Sequence, residues 1–286
     1  MTISRGWDQS VNLTEMLIGD TLVCMSGSQY GRPAGSGFEP QKYFKMLGFD
    51  PGDQEYACPD LRTLNVYCRG DRRQLEQLVG YTPLTLEGDV FIVTVADFEN
   101  CTMTQGRYFD SGVIIPVSYG GQKGGTYYFE FEDEHWSTAT GRELWGYPKR
   151  YAKISLEADE RGARGKTWHY DTPILDVAVE FDDSVTNEAW SHLRFAPNIQ
   201  VRAVPELNGP SFSHLDVIMR NTVANFELKE RRLGRGTVRL GAIDIGANQL
   251  GGRPLEVIEV LGAEYTIGDF AANRQNGTPV TLGSLV

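Results

Sequence analysis

Lys149 stands in the run Gly141-Arg142-Glu143-Leu144-Trp145-Gly146-Tyr147-Pro148-Lys149-Arg150. The run passes from a Gly-punctuated helical or loop segment into a strand expected to begin near Pro148. Proline lacks an N–H and suits the first residue of a strand or an edge. Bulky apolar residues precede the lysine. A lysine so placed is either an exposed strand-end charge or an amine drawn into an apolar pocket, and lysine is seldom buried without a reason. In a pocket the amine has a specific chemistry: in its neutral form it adds to a ketone and makes an imine. At an ordinary pKa of about 10.4, roughly one lysine in a few thousand is neutral at pH 7. A pKa of about 6 to 7 corresponds to ~5 kcal/mol against the ammonium. Burial or a neighbouring cation can supply that. Arg150 is a permanent cation next in sequence, but successive strand side chains point to opposite faces. Burial is therefore expected to be the larger cause of a lowered Lys149 pKa.

The protonated imine withdraws electrons from the adjacent carbon. A carboxylate there can leave as carbon dioxide, and the same iminium supports aldol or dehydration chemistry. Either course needs a group that moves protons. Asp110, in Asp110-Ser111-Gly112-Val113-Ile114-Ile115-Pro116-Val117-Ser118-Tyr119, is the candidate acid and base. Asp-Ser-Gly is equally a common turn sequence.

These two runs resemble the acetoacetate decarboxylase family. Glu143 to Arg150 is similar to its Schiff-base segment, roughly G-R-E-L, two variable residues, aromatic-P-K-K. Asp110 to Tyr119 is similar to E-S-G-x-x-I-P-V-S-F. The interval from Asp110 to Lys149 equals the family's interval from glutamate to lysine. Pro197-Asn198, the alternation into Val204-Pro205, and the run ending at Asp269-Phe270 extend the likeness over about residues 61 to 272. The resemblance implies a cone-like antiparallel β-barrel with the lysine inside. It implies Lys149 as the imine-forming residue, Asp110 as acid and base, Arg150 as the adjacent cation, and Glu143 as a residue that holds the segment, through a salt bridge. It also implies a cofactor-free Schiff-base lyase acting on a small oxo acid, with decarboxylation of a 3-oxo acid leading. Aldol, retro-aldol or dehydration chemistry on a larger oxo acid is the alternative, and a non-catalytic small-molecule-binding barrel the second. A homo-oligomer is the expected state.

Three departures bear on substrate. Asp110 is one methylene shorter than the family's glutamate. The family's substrate-binding arginine aligns with Leu61, and Arg62 is one place off, which on a strand means the other face. The strand Val90 to Ala96 has no counterpart of the family's second pocket carboxylate. Acetoacetate is therefore expected to be a poor substrate.

Composition narrows the classes. The chain has 286 residues, 41% hydrophobic and 23% charged, ordinary for a soluble globular protein. Net charge is −11 and the pI about 4.9, which argues against nucleic-acid or anionic-membrane partners. The start has no apolar run of signal-peptide length and no stretch approaches a membrane span, so a cytoplasmic location is expected. Cys24, Cys58, Cys68 and Cys101 form no C-x-x-C pair and are expected to be free thiols. His135, His169, His192 and His214 share no metal-ligand spacing. There is no nucleophile elbow or dinucleotide fingerprint.

The elements that must position Lys149 are mostly strands. Residues 1 to 60 are Gly- and Pro-rich and read as an N-terminal arm, with a short helix over Gln41 to Leu47. Residues 61 to 272 are the barrel domain, and 273 to 286 a tail. Thr63 to Cys68 reads as a strand. Asp71 caps a helix through Val79, with Leu75, Leu78 and Val79 on one face. Leu84 to Leu86 follows, then Val90 to Ala96, apolar enough to be buried on both faces. Gly120 to Gly125 reads as the loop between two strands, not a phosphate loop. The Lys149 strand is expected to run to about Leu156, and Ile174 to Phe181 alternates cleanly. A short helix is expected over Asn187 to Leu193. Ile199 to Val204, His214 to Met219, Ala224 to Lys229 and Val238 to Ile243 read as strands, with Gly234-Arg235-Gly236 between the last two. Leu255 to Phe270 reads as two strands around Gly262. Many short strands and few helices give a mainly β, α+β fold: an antiparallel barrel or sandwich with a few short helices.

Overall fold

A computed structural model describes residues 56–102, 106–241, 250, 253–272 and 279–286. The helix expected over Gln41 to Leu47 and the arm up to position 55 lie outside the described residues. So does Cys24.

The chain builds one sheet. β1 (Tyr56–Gly70) leads through α1 (Arg72–Val79) and β2 (Thr85–Leu86) to β3 (Val90–Phe98), β4 (Tyr108–Tyr119) and β5 (Gln122–Glu132). Next come α2 (His135–Trp145), β6 (Lys149–Tyr151), β7 (Lys153–Ala158), β8 (Gly162–His169) and β9 (Thr172–Phe181). The last strands are β10 (Asn198–Pro205), β11 (Phe212–Arg220), β12 (Glu227–Leu240), β13 (Val257–Ala272) and β14 (Val280–Ser284). Their order is β14-β11-β10-β5-β4-β3-β1-β13-β12-β9-β8-β7, with β2 beside β4 and β6 beside β5. The sheet extends on both sides of 61 to 272: β1 starts at Tyr56, and β14 pairs with β11.

Local sequence explains several elements. Asp71 caps α1 by accepting from the Gln74 amide at 3.0 Å, and Leu75, Leu78 and Val79 are its buried residues. Gly120 and Gly121, both at positive φ, make the two-residue turn that pairs Tyr119 with Gln122. Paired positive φ values match the twist of a tight hairpin. β3 is buried on both faces through most of its length.

The ladder stays open between β14 and β7, but the sheet curls on itself. Leu64 and Val66 of β1, Val93 and Val95 of β3, and Phe129 and Phe131 of β5 share one core with Ile154, Leu156, Leu175 and Val177 from the β7–β9 end. The approach is close: a Cβ on Gly165 would stand 2.7 Å from a Val95 methyl. Ser111 and Thr167 join across the same core at 2.7 Å. That is the cone-like arrangement. Strand alternation then sends Thr63, Asn65 and Tyr67 of β1, and Thr94 and Ala96 of β3, to the opposite face, where they line a cavity of about 560 Å³.

Four element boundaries differ from expectation. The Lys149 strand breaks at Ala152 into β6, parallel to β5, and β7, antiparallel to β8. One short strand thus serves the cavity and the next serves the core. Asn187 to Leu193 makes single turns, not a helix. Ala224 to Phe226 is turn, and β12 continues from Glu227 through Gly234 and Gly236 to Leu240 as one strand. Gly234 and Gly236 sit inside it because a Cβ there would meet Glu180 backbone at 2.0 Å and Val66 at 2.9 Å. β13 likewise runs through Gly262, with a register shift opposite Tyr67 and Cys68 that absorbs the extra residue.

Candidate active site

Lys149 is the first residue of β6 and is 7% exposed. The helix before it sets its position. Gly146 ends α2 in a left-handed conformation that glycine adopts without cost, and a Cβ there would stand 2.8 Å from Arg202 Cα. Gly141 faces the lysine directly: a Cβ there would stand 2.6 Å from Lys149 Cδ and 2.8 Å from Cε. Arg142 donates from Nη1 to the Lys149 carbonyl at 2.9 Å. The glycine and arginine of the Gly141-Arg142-Glu143-Leu144 run therefore act on the lysine, one by making room and one by fixing its backbone.

Three carboxylates meet the ammonium. Lys149 Nζ lies 2.6 Å from Glu132 Oε1, 3.3 Å from Asp110 Oδ2 and 3.4 Å from Glu130 Oε1. Sheet register brings them together. Asp110 on β4 pairs with Glu132 on β5, and Glu130 on β5 pairs with Lys149 on β6. The first turn of α2 supports Glu132, with Ser137 donating at 2.8 Å and Thr138 at 3.3 Å. Tyr147 places its ring 5.7 Å from Nζ and its hydroxyl on Asn198 Nδ2 at 3.0 Å.

The electrostatics correct the expectation of a lowered lysine pKa. Burial does act to lower it, but Glu130, Glu132 and Asp110 outweigh burial and hold Lys149 well above its ordinary value. The carboxyl groups answer in kind. Burial, with the Asp110 charge, pushes Glu130 well up, and burial pushes Glu132 up to about 7. Asp110 Oδ1 and Glu130 Oε2 are buried and receive no donor from surrounding groups. Glu130 lies within hydrogen-bonding reach of Asp110, so a proton held on Glu130 would give the pair a donor. The cluster thus favours protonated carboxyls at Glu130 and Glu132 and a charged amine at Lys149.

The other candidate residues fall on both sides of the wall. Asp110 lies inside β4, not in a turn, and lines the cavity. Arg150 is in register with Phe131, one place out of phase with Lys149, and does not line the cavity. Glu143 is exposed; its carbonyl accepts from Arg202 at 3.0 Å, and no ion pair among the described residues uses its carboxylate. Leu61 lines the cavity, while Arg62 turns outward to Asp97 at 3.3 Å and Glu99 at 2.7 Å.

Sequence reasoning did not single out Glu130, Glu132 or Arg220. Arg220, 8% exposed, lines the same cavity and lies over the Trp145 ring at 3.7 Å. The β10–β11 hairpin pairs it with Asn198. Glu264 also reaches the cavity, held by Tyr67 and Arg231 at 2.5 Å each. Among the described residues no cluster of metal-ligating side chains occurs, and no helix is long and apolar enough to cross a membrane.

The acetoacetate decarboxylase family model matches residues 48–277. The chain belongs to the acetoacetate decarboxylase family. Acetoacetate decarboxylases of Ralstonia nicotianae and Burkholderia vietnamiensis are each 25% identical to it over 166 residues, 58% of this chain. The match spans 65% of the length of those relatives. An acetoacetate decarboxylase structure superposes with a TM-score of 0.69 at 21% identity, covering 82% of this chain and 92% of that one. An acetoacetate decarboxylase-like enzyme from Sphingomonas wittichii RW1 gives 0.67 at 19% identity, covering 82% and 95%. The enduracididine biosynthesis enzyme MppR complexed with pyruvate gives 0.62 at 13% identity, covering 81% and 91%. At these identities the structures establish the family's fold for this chain.

Proposed function

We propose that this chain is a Schiff-base lyase that acts on an oxo acid through Lys149, with decarboxylation of a 3-oxo acid as the leading reaction. The observation that carries the reading is the Lys149 ammonium, buried at the cavity wall and 2.6 Å from a carboxyl that titrates near 7. Glu132 in its ionised form takes the Lys149 proton, and the neutral amine attacks the ketone carbon. Glu130, whose pKa burial pushes well up, protonates the oxygen of the carbinolamine, which leaves as water. The carbon–carboxylate bond then breaks. Its electron pair enters the iminium, carbon dioxide departs, and an enamine remains. Glu132 or Asp110 returns a proton to carbon, and water releases the product from Lys149. Buried carboxylates raise the energy of an anionic substrate beside them and gain when its charge leaves as carbon dioxide. Arg220, in the same cavity, supplies the attraction that brings the anion in.

Aldol or dehydration chemistry is the second reading, and one observation favours it. A cavity of about 560 Å³ leaves room for a second reactant beside the oxo acid. The solved relative MppR is described in complex with pyruvate and with a condensation product of pyruvate.

Borohydride with a panel of oxo acids should leave a reduced adduct on the peptide holding Lys149. Lys149→Arg should abolish both adduct and turnover. Labelling elsewhere, with full activity in the variant, would sink the mechanism. Tight carboxylate binding with no adduct from any oxo acid would leave a binding module.

A further inference from the structure

Beyond the lysine cluster, one pair of nucleophilic side chains has no part in the mechanism. Cys58 lies near the start of β1 and Cys101 just after β3. The Thr102 amide donates to the Ala57 carbonyl at 2.9 Å, and the Ala57 amide to Thr102 Oγ1 at 3.0 Å. With Ala57 beside Thr102 and the two segments antiparallel, Cys58 falls opposite Cys101. Directly opposed antiparallel residues have Cα atoms about 4.5 to 5.5 Å apart, inside the range a disulfide spans. Both pack in one cluster with Leu61 and Phe270, and the thiols are within hydrogen-bonding reach of each other. Both are free.

The two are unequal. Cys58 is fully buried and Cys101 is half-buried. Its bond to Cys101, and then burial, push the Cys58 thiol up. Bonds from Cys58, Tyr56 and Tyr108 lower that of Cys101, with Tyr56 donating to Cys101 Sγ at 3.4 Å. Tyr56 and Tyr108 also hydrogen-bond each other, and both line the cavity.

We propose that Cys58 and Cys101 are a redox-modifiable dithiol packed behind the cavity-lining Leu61 and Phe270, closed to a disulfide by a low-molecular-weight disulfide such as oxidised glutathione. The Cys101 thiolate attacks one sulfur of the reagent, forming a mixed disulfide and expelling one glutathione thiolate. Cys58 gives up its proton and attacks the Cys101 sulfur, expelling the second glutathione. Two protein thiols are oxidised and one reagent disulfide is reduced to two thiols, so the step balances. Closure fastens the start of β1 to the segment after β3 and takes the Tyr56 acceptor out of thiol form.

The test uses the full chain, reduced and then incubated with oxidised glutathione, read by intact mass and non-reducing peptide mapping. Wild type should lose two hydrogens and yield a Cys58–Cys101 cross-linked peptide. Cys58→Ser should stop at one stable glutathione adduct on Cys101, and Cys101→Ser should take up none on Cys58. A persistent mixed disulfide in wild type, a cross-link from Cys101 to Cys24, or no reaction of Cys101 would each overturn the proposal. Serine is close in size to cysteine, and near-wild-type melting of both reduced variants confirms that they fold. If Cys58→Ser does not fold, wild type with and without oxidant still decides, through the mapped cross-link.

Discussion

Glu132 joins proton uptake to folding and, on the proposed mechanism, to catalysis. Its ordinary value is 4.5, and burial pushes it to about 7. The folded protein therefore binds a proton on this group that the unfolded chain has released between those values. Its favourable part in stability is full below about pH 4.5 and is lost as pH rises toward 7. Glu132→Gln should flatten that share of the slope, measured as unfolding free energy against pH. On the proposed mechanism the same substitution removes the base that frees Lys149. Wild-type kcat/KM should rise with pH through about 7, and the variant should lose this limb and fall by about 10²- to 10⁴-fold. An unchanged profile would move the base role to Asp110. Sequence gave a partial view of this cluster. Lys149 and Asp110 are legible from motif and spacing. Glu130 and Glu132 alternate with aromatics in Tyr127-Tyr128-Phe129-Glu130-Phe131-Glu132, a pattern that also fits a solvated strand face. Only the pairing of Asp110 with Glu132 and of Glu130 with Lys149 reveals them as buried neighbours.

Helix α2 and strand β6 act as one positioning unit. A methyl group on Gly141 would collide with Lys149 Cδ, and overpacking of this kind costs about 1 to 3 kcal/mol. Gly141→Ala should therefore leave the protein folded by circular dichroism. Its kcat should drop about 10²-fold, the usual effect of an ångström-scale misplacement. A variant with normal kcat would mean the lysine has slack. Arg150 makes the opposite case. It sits out of phase with Lys149 on β6, so Arg150→Gln should shift the pH limb by less than about one unit. A larger shift would show that its charge reaches the amine through the sheet. Elements of strong local character were readable: the Asp71 cap, the Gly120-Gly121 hairpin, the apolar run of β3. Those that depend on distant partners were not. The sequence reads as two strands either side of Gly234-Arg235-Gly236, whereas β12 runs through them, because their small size answers to Glu180 and Val66, residues far away in sequence.

At the scale of the whole molecule, the cavity sets which substrate fits. Leu61 stands where the family's arginine aligns, and Arg220 approaches from the β10–β11 hairpin instead. No local signal in the sequence places Arg220 at the cavity, since that depends on the Asn198–Arg220 register. Arg220→Met should raise KM for oxo acids more than it lowers kcat, and acetoacetate should turn over poorly beside longer 3-oxo acids. Carbon dioxide release and carbonyl loss measured in parallel separate the two reactions. Efficient release from acetoacetate would show the departures to be harmless. The order in which the chain leaves the ribosome adds one consequence. Asp110, Glu130, Glu132 and Lys149 all lie on consecutive elements, β4 to β6. The wall opposite β3 is different: β1 pairs Leu61 with Gly268 and Thr63 with Thr266. During synthesis the reactive cluster can assemble early, while β1 keeps one edge bare until β13 emerges near the end. An open apolar edge in a nascent chain is a site for wrong pairing. The interval between those two strands is when the nascent chain is most open to wrong pairing.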